Sequence, residues 1–443
     1  MSRKPNRYSP LQIALMIGIV VMIIASAFLL AMCLSMPVKS KDKPDKNATI
    51  QFSQPEDVNI TIPEGPPQLV STASIGVQGD LLMHLPVIET CVTDSGYDFS
   101  YIFQYMKPYT KSFDYMVANL ETTLGGTAFP YRGNPSFNCP DQLLTAVKDM
   151  GCDMLLTANN HSYDTLMTGI DRTLQQVRGA GIETLGTRLN GNEKRYSVID
   201  VNGIQVGMVC YTFSLTMDAE TGHPRLNNNS PVEKPEQINY FSNDNLNKLY
   251  SEIADILPRM KADGAETTVL YIHWGTEYDL IGDENQRAIA QKMCDMGVDV
   301  IVGGHPHVVQ PMTLLTSNTD SEHKTVCIYS LGNAVSNQRR EEMDMKTGHT
   351  EDGILFSMTF EKYSDGTVRV SAVDVLPTWV NMTSSSGQKQ YLIIPLEDAK
   401  RESWQSEYHM TDEEYAEAKN SYDRTMAIVG SGLQTVKAYL AGT

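Results

Sequence analysis

The sequence predicts an α/β protein with a mostly parallel sheet, set behind an N-terminal apolar segment. Three observations carry this. First, β-rich apolar runs at 74–79, 115–120, 154–158, 267–273, 298–302 and 325–330 alternate with helix-period segments at 101–111, 142–150, 167–180, 244–261 and 285–296. That is the pattern of strands joined by crossover helices. Second, Asn202-Gly203 separates the runs 196–201 and 205–213, and Ser364-Asp365-Gly366 separates 353–363 and 368–375. Both are hairpin signals, so part of the sheet is antiparallel. Third, residues 11–36 are apolar and carry no charge. At about 1.5 Å per residue such a run crosses a bilayer core.

Taken in order, the chain starts with Arg3, Lys4 and Arg7, and Lys39, Lys41 and Lys43 follow the apolar run. The basic start predicts a single span, with 1–10 in the cytoplasm, 11–36 as a transmembrane anchor and the main domain extracytoplasmic. The rival reading is a cleaved signal peptide. Against it, the run exceeds the roughly 7–15 residues of a signal h-region, and no clear small-x-small site ends it. Residues 37–70 are rich in Lys, Pro, Asp and Asn and read as a flexible stalk. Residues 71–400 form the main domain, and 401–443 a C-terminal extension whose 411–440 is helical and polar. A net charge of -18 argues against a nucleic-acid partner, which needs a basic face. It leaves room for a small anionic substrate, because a bound metal inverts the local field. No pair among the seven cysteines has CxxC spacing, which excludes a zinc ribbon or thioredoxin motif. Most read as small core hydrophobes; a disulfide between Cys91 and Cys139, both in loop-like sequence, stays open.

Five short segments carry the chemistry, and four directly follow a β-run: Gly79-Asp80, Asn119-Leu120-Glu121, Asn159-Asn160-His161, His273 to Tyr278, and Gly303-Gly304-His305-Pro306-His307. In open α/β sheets ligands bind at the carboxyl ends of strands. Each segment alone has an ordinary reading as a turn, a helix cap or a solvated charge. Together they say more, because four of the nine histidines, His161, His273, His305 and His307, stand at these ends. Neutral imidazoles and carboxylates converging at one point suit a divalent transition metal. Gly303-Gly304 permits the sharp turn that would aim both imidazoles of His305-Pro306-His307 at one site.

These motifs, in this order and with Val308-Val309-Gln310-Pro311 and Tyr329-Ser330-Leu331-Gly332-Asn333 after them, resemble the CapA family of poly-gamma-glutamate capsule synthesis proteins over 75–338. CapA domains are in turn similar to calcineurin-type metallophosphoesterases. The resemblance implies a four-layer α/β/β/α sandwich with one or two divalent metal ions (manganese, iron or zinc). It implies metal ligands at Asp80, Glu121, Asn160, His273, His305 and His307. It puts His161 at the leaving group, with Asp164 placed to orient it. Glu277, Tyr278 and Asn333 become substrate-binding candidates, and Arg132 and Arg287 further groups for an anionic substrate. Two positions depart from the superfamily pattern. Leu82 stands where its first motif has histidine, with His84 two residues on, and Glu121 replaces a bridging aspartate.

The function expected is metal-dependent hydrolase or transferase chemistry in capsule or cell-envelope polymer synthesis or export. In the hydrolase version, metal lowers the pKa of bound water to roughly 7 and His161 protonates the leaving group. Expected partners are the membrane, poly-gamma-glutamate synthase subunits or an anionic polymer. Two alternatives stand beside it: a non-catalytic polymer- or partner-binding subunit of a membrane synthesis complex, and a phosphoesterase unrelated to capsule.

Overall fold

The computed structural model describes residues 65–227, 230–384 and 387–442. The expected anchor at 11–36 and nearly all of the stalk lie outside the described residues. Among the described residues no helix is long and apolar enough to cross a membrane.

Two sheets dominate. The strands, in chain order, are β1 (Leu69–Leu81), β2 (Tyr115–Asn119), β3 (Met154–Leu156), β4 (Glu183–Leu185), β5 (Tyr196–Val201), β6 (Ile204–Ser214), β7 (Tyr240–Ser242), β8 (Thr267–His273), β9 (Val300–Gly304), β10 (Met312–Thr316), β11 (Lys324–Ile328), β12 (Asn333–Val335), β13 (Asp352–Tyr363), β14 (Val368–Thr383) and β15 (Gln390–Pro395). The first sheet runs β15-β14-β13-β1-β2-β3-β4, with β12 also on β1; the second runs β7-β6-β8-β9-β11-β10, with β5 on β6. The β1-β2-β3-β4 and β7-β6-β8-β9-β11 stretches are parallel. The β5–β6 and β13–β14 hairpins are antiparallel, as their turns predict. Asn202 and Gly203 have φ of 56° and 85°, the two left-handed residues a tight hairpin requires.

The sheets face each other. Ile75, Val77, Val117 and Met154 of the first pack with Val206, Met208, Val269, Tyr271, Val300 and Val326 of the second in one buried cluster. The longer helices are α1 (Leu143–Asp149), α2 (Leu166–Gly179), α3 (Asn247–Ala262), α4 (Glu284–Asp295) and α5 (Asp412–Leu440). Leu143 and Val147 of α1 and Val177 of α2 cover the far face of the first sheet. Leu249, Ile253 and Ile256 of α3 and Ile289 and Met293 of α4 cover the far face of the second. Apolar residues thus recur at helical spacing on one face of each helix, and on the parallel strands they line both faces, Val269 and Tyr271 toward the facing sheet and Leu270 and Ile272 toward the helices. Capping boxes start α4 (Asp283 with Gln286) and α5 (Thr411 with Glu414).

Two expectations change and one open question closes. The helix expected over 101–111 is two short turns, Ser100–Phe103 and Lys107–Thr110. Pro108 has no N–H to donate back along a continuous helix, whereas the first turn of a new helix, where it stands, tolerates it. The left-handed turn of the His-Pro-His segment is not at the glycines: His305 (φ 97°) and His307 (φ 57°) adopt it. Gly303 is instead needed because a Cβ there would meet Tyr329 O at 1.9 Å. Finally, Cys91 and Cys139 are both free and buried; apolar neighbours hold them as core residues.

Candidate metal centre

Strand register brings the chemistry together. Asp80 pairs with Asn119 of β2 on one side and with Asn333 of β12 on the other. In the second sheet His273 pairs with Gly304, one residue before His305. The edges of both sheets therefore deliver side chains to one spot. Asn119 Nδ2 donates to Asp80 Oδ1 at 2.7 Å and to Glu121 Oε2 at 3.3 Å. Asp80 Oδ2 lies 3.2 Å from His307 Nδ1, and Glu121 Oε1 lies 3.4 Å from His273 Nε2 and 3.7 Å from His307 Nε2. His273 Nε2 is also 2.8 Å from Asn160 Oδ1. The rings of His273 and His305 stand 4.8 Å apart, with Phe213 against both.

These donors fit a divalent cation. Two ligands about 2.1 Å from one ion in a tetrahedral arrangement stand about 3.4 Å apart, close to the separations above. Glu121–His273–His305 and Asp80–Glu121–His307 each place their ligand atoms within 4.8 Å of one another. Two buried atoms, Glu121 Oε1 and His305 Nδ1, have no hydrogen-bond partner among the described residues. Orphaned atoms of that kind cost free energy unless something binds them. Burial holds His273 down to about 3 and His305 well below the ordinary imidazole range. Both are therefore neutral at pH 7, as a ligating imidazole must be. Burial, then the neighbouring Asp80 charge, pushes Glu121 well above the usual carboxylate range. Asp80 moves the other way: hydrogen bonding and charge from His307 outweigh its burial and lower it.

Beside the cluster lies a histidine–carboxylate pair. His161 Nδ1 donates to Asp164 Oδ2 at 2.7 Å, and the Phe137 N–H donates to the same oxygen at 2.6 Å. Asp164 thus orients His161 and does not cap α2, whose N-cap is Thr165. Asn227 completes the arrangement, donating to Pro135 O at 2.5 Å and to Asp164 Oδ1 at 3.3 Å. It belongs to an excursion between β6 and β7 that packs Leu226, Val232 and Ile238 on Met167, Ile170 and Leu174 of α2.

Residues 74–338, over half of the chain, match the family described as bacterial capsule synthesis protein PGA_cap. The chain belongs to this family. It is 26% identical to the PGA biosynthesis protein CapA of Bacillus subtilis (strain 168) over 320 residues, covering 71% of this chain and 75% of that protein. It is 30% identical to the capsule biosynthesis protein CapA of Bacillus anthracis over 265 residues, 59% of each chain. The CapA resemblance read from the motifs is thereby shown, and every candidate site residue falls inside the span that matches the PGA_cap family.

Within that span the other candidates divide. Asn333 Oδ1 lies 3.1 Å from His307 Nδ1 while its Nδ2 donates to Gln338 Oε1 at 2.8 Å, so it fixes a candidate ligand. Gln338 Nε2 donates to the Tyr278 hydroxyl at 3.2 Å, and the Tyr278 ring is 6.3 Å from that of His307. Glu277, expected only as a substrate group, has a ligand atom within 4.8 Å of those of His305 and His307. Arg132 Nη2 donates to Asp164 O at 3.4 Å, whereas Arg287 donates to Gly282 O, at the foot of α4. Leu82 is buried. His84 Nδ1 accepts from the Asn337 N–H at 3.2 Å, and its ring meets Phe137 edge-on; it is absent from all three candidate ligand groups among the described residues. Sequence reasoning missed Phe213 and Asn227 as parts of the site, and it placed Asn119 in the second segment without giving it a role. Asn119 closes its β-run two residues before Glu121 and bonds the carboxylates of both Asp80 and Glu121.

Proposed function

We propose that this chain is a metal-dependent hydrolase or transferase of capsule or cell-envelope polymer synthesis, acting on an anionic polymer such as poly-gamma-glutamate. The observation that carries the reading is the His161–Asp164 pair, bonded at 2.7 Å directly beside Asn160 of the ligand cluster. A bound divalent ion would supply Lewis-acid polarisation of the scissile bond and a water acidic enough to ionise near neutral pH. Asp80, Glu121, Asn160, His273, His305 and His307 would hold it. With Nδ1–H committed to Asp164, Nε2 is the atom at which His161 carries a proton for the leaving group. Arg132 and Tyr278 offer polar groups to an anionic substrate. The sandwich of helix, sheet, sheet and helix supports the metallophosphoesterase-like reading. The test is turnover of a generic phosphoester and of poly-gamma-glutamate by the full-length chain, loaded with manganese, iron or zinc. Absence of turnover with every ion, in a protein that binds them, would remove the enzymatic reading.

One observation favours a second reading. Leu82 is buried where the superfamily has histidine, which leaves Asp80, Glu121 and His307 as three protein ligands on that side. A non-catalytic subunit that binds polymer or synthase partners through the metal-bearing face would tolerate this. Polymer or partner capture that survives His161→Ala, without turnover, identifies it.

The apolar run 11–36 and the basic start support a membrane anchor with the main domain outside. A reporter fused after Thr443 is expected to be active only when exported. Cytoplasmic activity of that fusion would reverse the orientation.

A further inference from the structure

The segment after β8 is built to hold Glu277 in place. Gly275 and Tyr278 take left-handed backbone, φ 87° and 67°. For tyrosine that conformation is uncommon and needs surrounding contacts to keep it. One such contact is explicit: the Tyr278 N–H donates to Pro306 O at 2.8 Å. The loop is thereby fastened to the residue between His305 and His307. Glu277, exposed itself, then has a carboxylate oxygen within 4.8 Å of one nitrogen of each of these histidines. His305 is 4% exposed, yet its Nδ1 has no hydrogen-bond partner among the described residues. The Tyr278 hydroxyl, held by Gln338, stands beside the Glu277 carboxylate. Such outer partners orient ligating carboxylates.

We propose that Glu277 is a metal ligand: with His305 and His307 it holds a divalent cation at the solvent-facing mouth of the centre. This rests on the metal-centre reading above and adds to it. The buried groups Glu121–His273–His305 and Asp80–Glu121–His307 each share one histidine, His305 and His307 respectively, with the outer one. Glu277 therefore extends the same centre toward solvent and raises its ligand count.

The test is direct metal binding by the full-length chain, stripped with chelator and titrated with Mn²⁺ alone. Glu277→Gln is compared with wild type and with Glu322→Gln, an exposed carboxylate elsewhere that loses the same charge. The expected result is that Glu277→Gln weakens Mn²⁺ binding by at least the 10–100-fold that removing an outer partner costs, while Glu322→Gln binds as wild type does. Glu277→Cys, titrated with Cd²⁺, is expected to give a thiolate-to-cadmium charge-transfer absorption that wild type lacks, which only direct ligation produces. Thermal melts of the metal-free forms check that each variant folds. Wild-type Mn²⁺ affinity in Glu277→Gln, with no new absorption in Glu277→Cys, overturns the proposal. If that variant keeps its metal but loses turnover, Glu277 serves substrate, and the metal-centre reading survives without it. If wild type binds no Mn²⁺, Zn²⁺ or Cd²⁺, both fall.

Discussion

At the residue scale, His161 and His305 separate chemistry from metal holding. His161 Nδ1 is bonded to Asp164, whereas His305 has a buried, unpartnered Nδ1 among the ligand set. His161→Ala is expected to keep its metal content and lose about 10²–10⁴-fold in turnover, the range for losing a general acid. His305→Ala should lose both metal and turnover, with metal analysis and a phosphoester assay as the two readouts. Unchanged turnover in His161→Ala would remove it from the proton transfer. His84 makes a separate prediction about stability. Burial holds its pKa down to about 4, from 6.5. The unfolded chain therefore takes up a proton as pH falls through 6.5, and the folded chain resists until about 4. The contribution is complete above 6.5 and drains away between 6.5 and 4, by at most on the order of 3 kcal/mol. Urea unfolding at pH 7 and pH 5 should show a larger loss in wild type than in His84→Asn, which keeps an acceptor for the Asn337 N–H. Equal losses would mean that His84 titrates alike in both states. The histidines and carboxylates of the centre were legible because each closes, or directly follows, an apolar run. Asn227 was not, since it lies 66 residues from His161, in a loop with no periodic pattern, and arrives there only through the packing of that loop on α2.

At the scale of elements, the alternation of runs and helices was legible because burial on both faces makes parallel strands continuously apolar. The resulting pairings follow from it, as does the placing of hairpin turns at Asn202-Gly203 and Gly366. The division into two facing sheets was not readable from periodicity; it entered through family likeness, because apolar strands do not declare which sheet they join. The role of α5 also escaped, although its signal is present. Val429, Leu433 and Val436 follow one another at spacings of four and three residues, a single helical face, and they belong to the cluster between the sheets. Its polar composition drew attention to the exposed faces instead. Gly432 lets the helix lie directly on β10, since a Cβ there would meet Met312 O at 1.9 Å. We expect Leu433→Ala to destabilise the folded chain by about 2–5 kcal/mol, as buried leucine truncations do. Gly432→Ala is expected to cost about 1–3 kcal/mol by overpacking. Chemical unfolding measures both. A Leu433→Ala change below about 0.5 kcal/mol, the usual surface range, would mean that α5 does not close the core.

For the whole molecule, the centre is where the two sheets meet chemically. Asp80, Glu121 and Asn160 stand at or just beyond the ends of strands of the first sheet, and His273, His305 and His307 at or just beyond the ends of strands of the second. An ion held between them therefore joins the sheets directly, and its binding free energy adds to folding stability. One site with ion at about 100 times its Kd contributes roughly 2.7 kcal/mol. Binding must also move protons. In the metal-free chain Glu121 is pushed well above the usual carboxylate range by burial and by the Asp80 charge, so it holds a proton where an ordinary carboxylate would not. Ligation requires the ionised form, so the ion displaces that proton and metal affinity rises with pH until Glu121 ionises unaided. His273 and His305 do not oppose this trend, because both are already neutral. Calorimetric titration of the stripped full-length chain, in two buffers of different ionisation enthalpy, should give binding heats that differ by the buffer's share of the released proton. In the same preparation, added ion should raise the melting temperature, and His305→Ala should abolish that rise. Identical heats in the two buffers would mean that Glu121 enters the centre already ionised. An ion-independent melting temperature, in a chain that binds the ion, would mean that the unfolded chain binds it as tightly as the folded one, so that the metal adds nothing to folding stability.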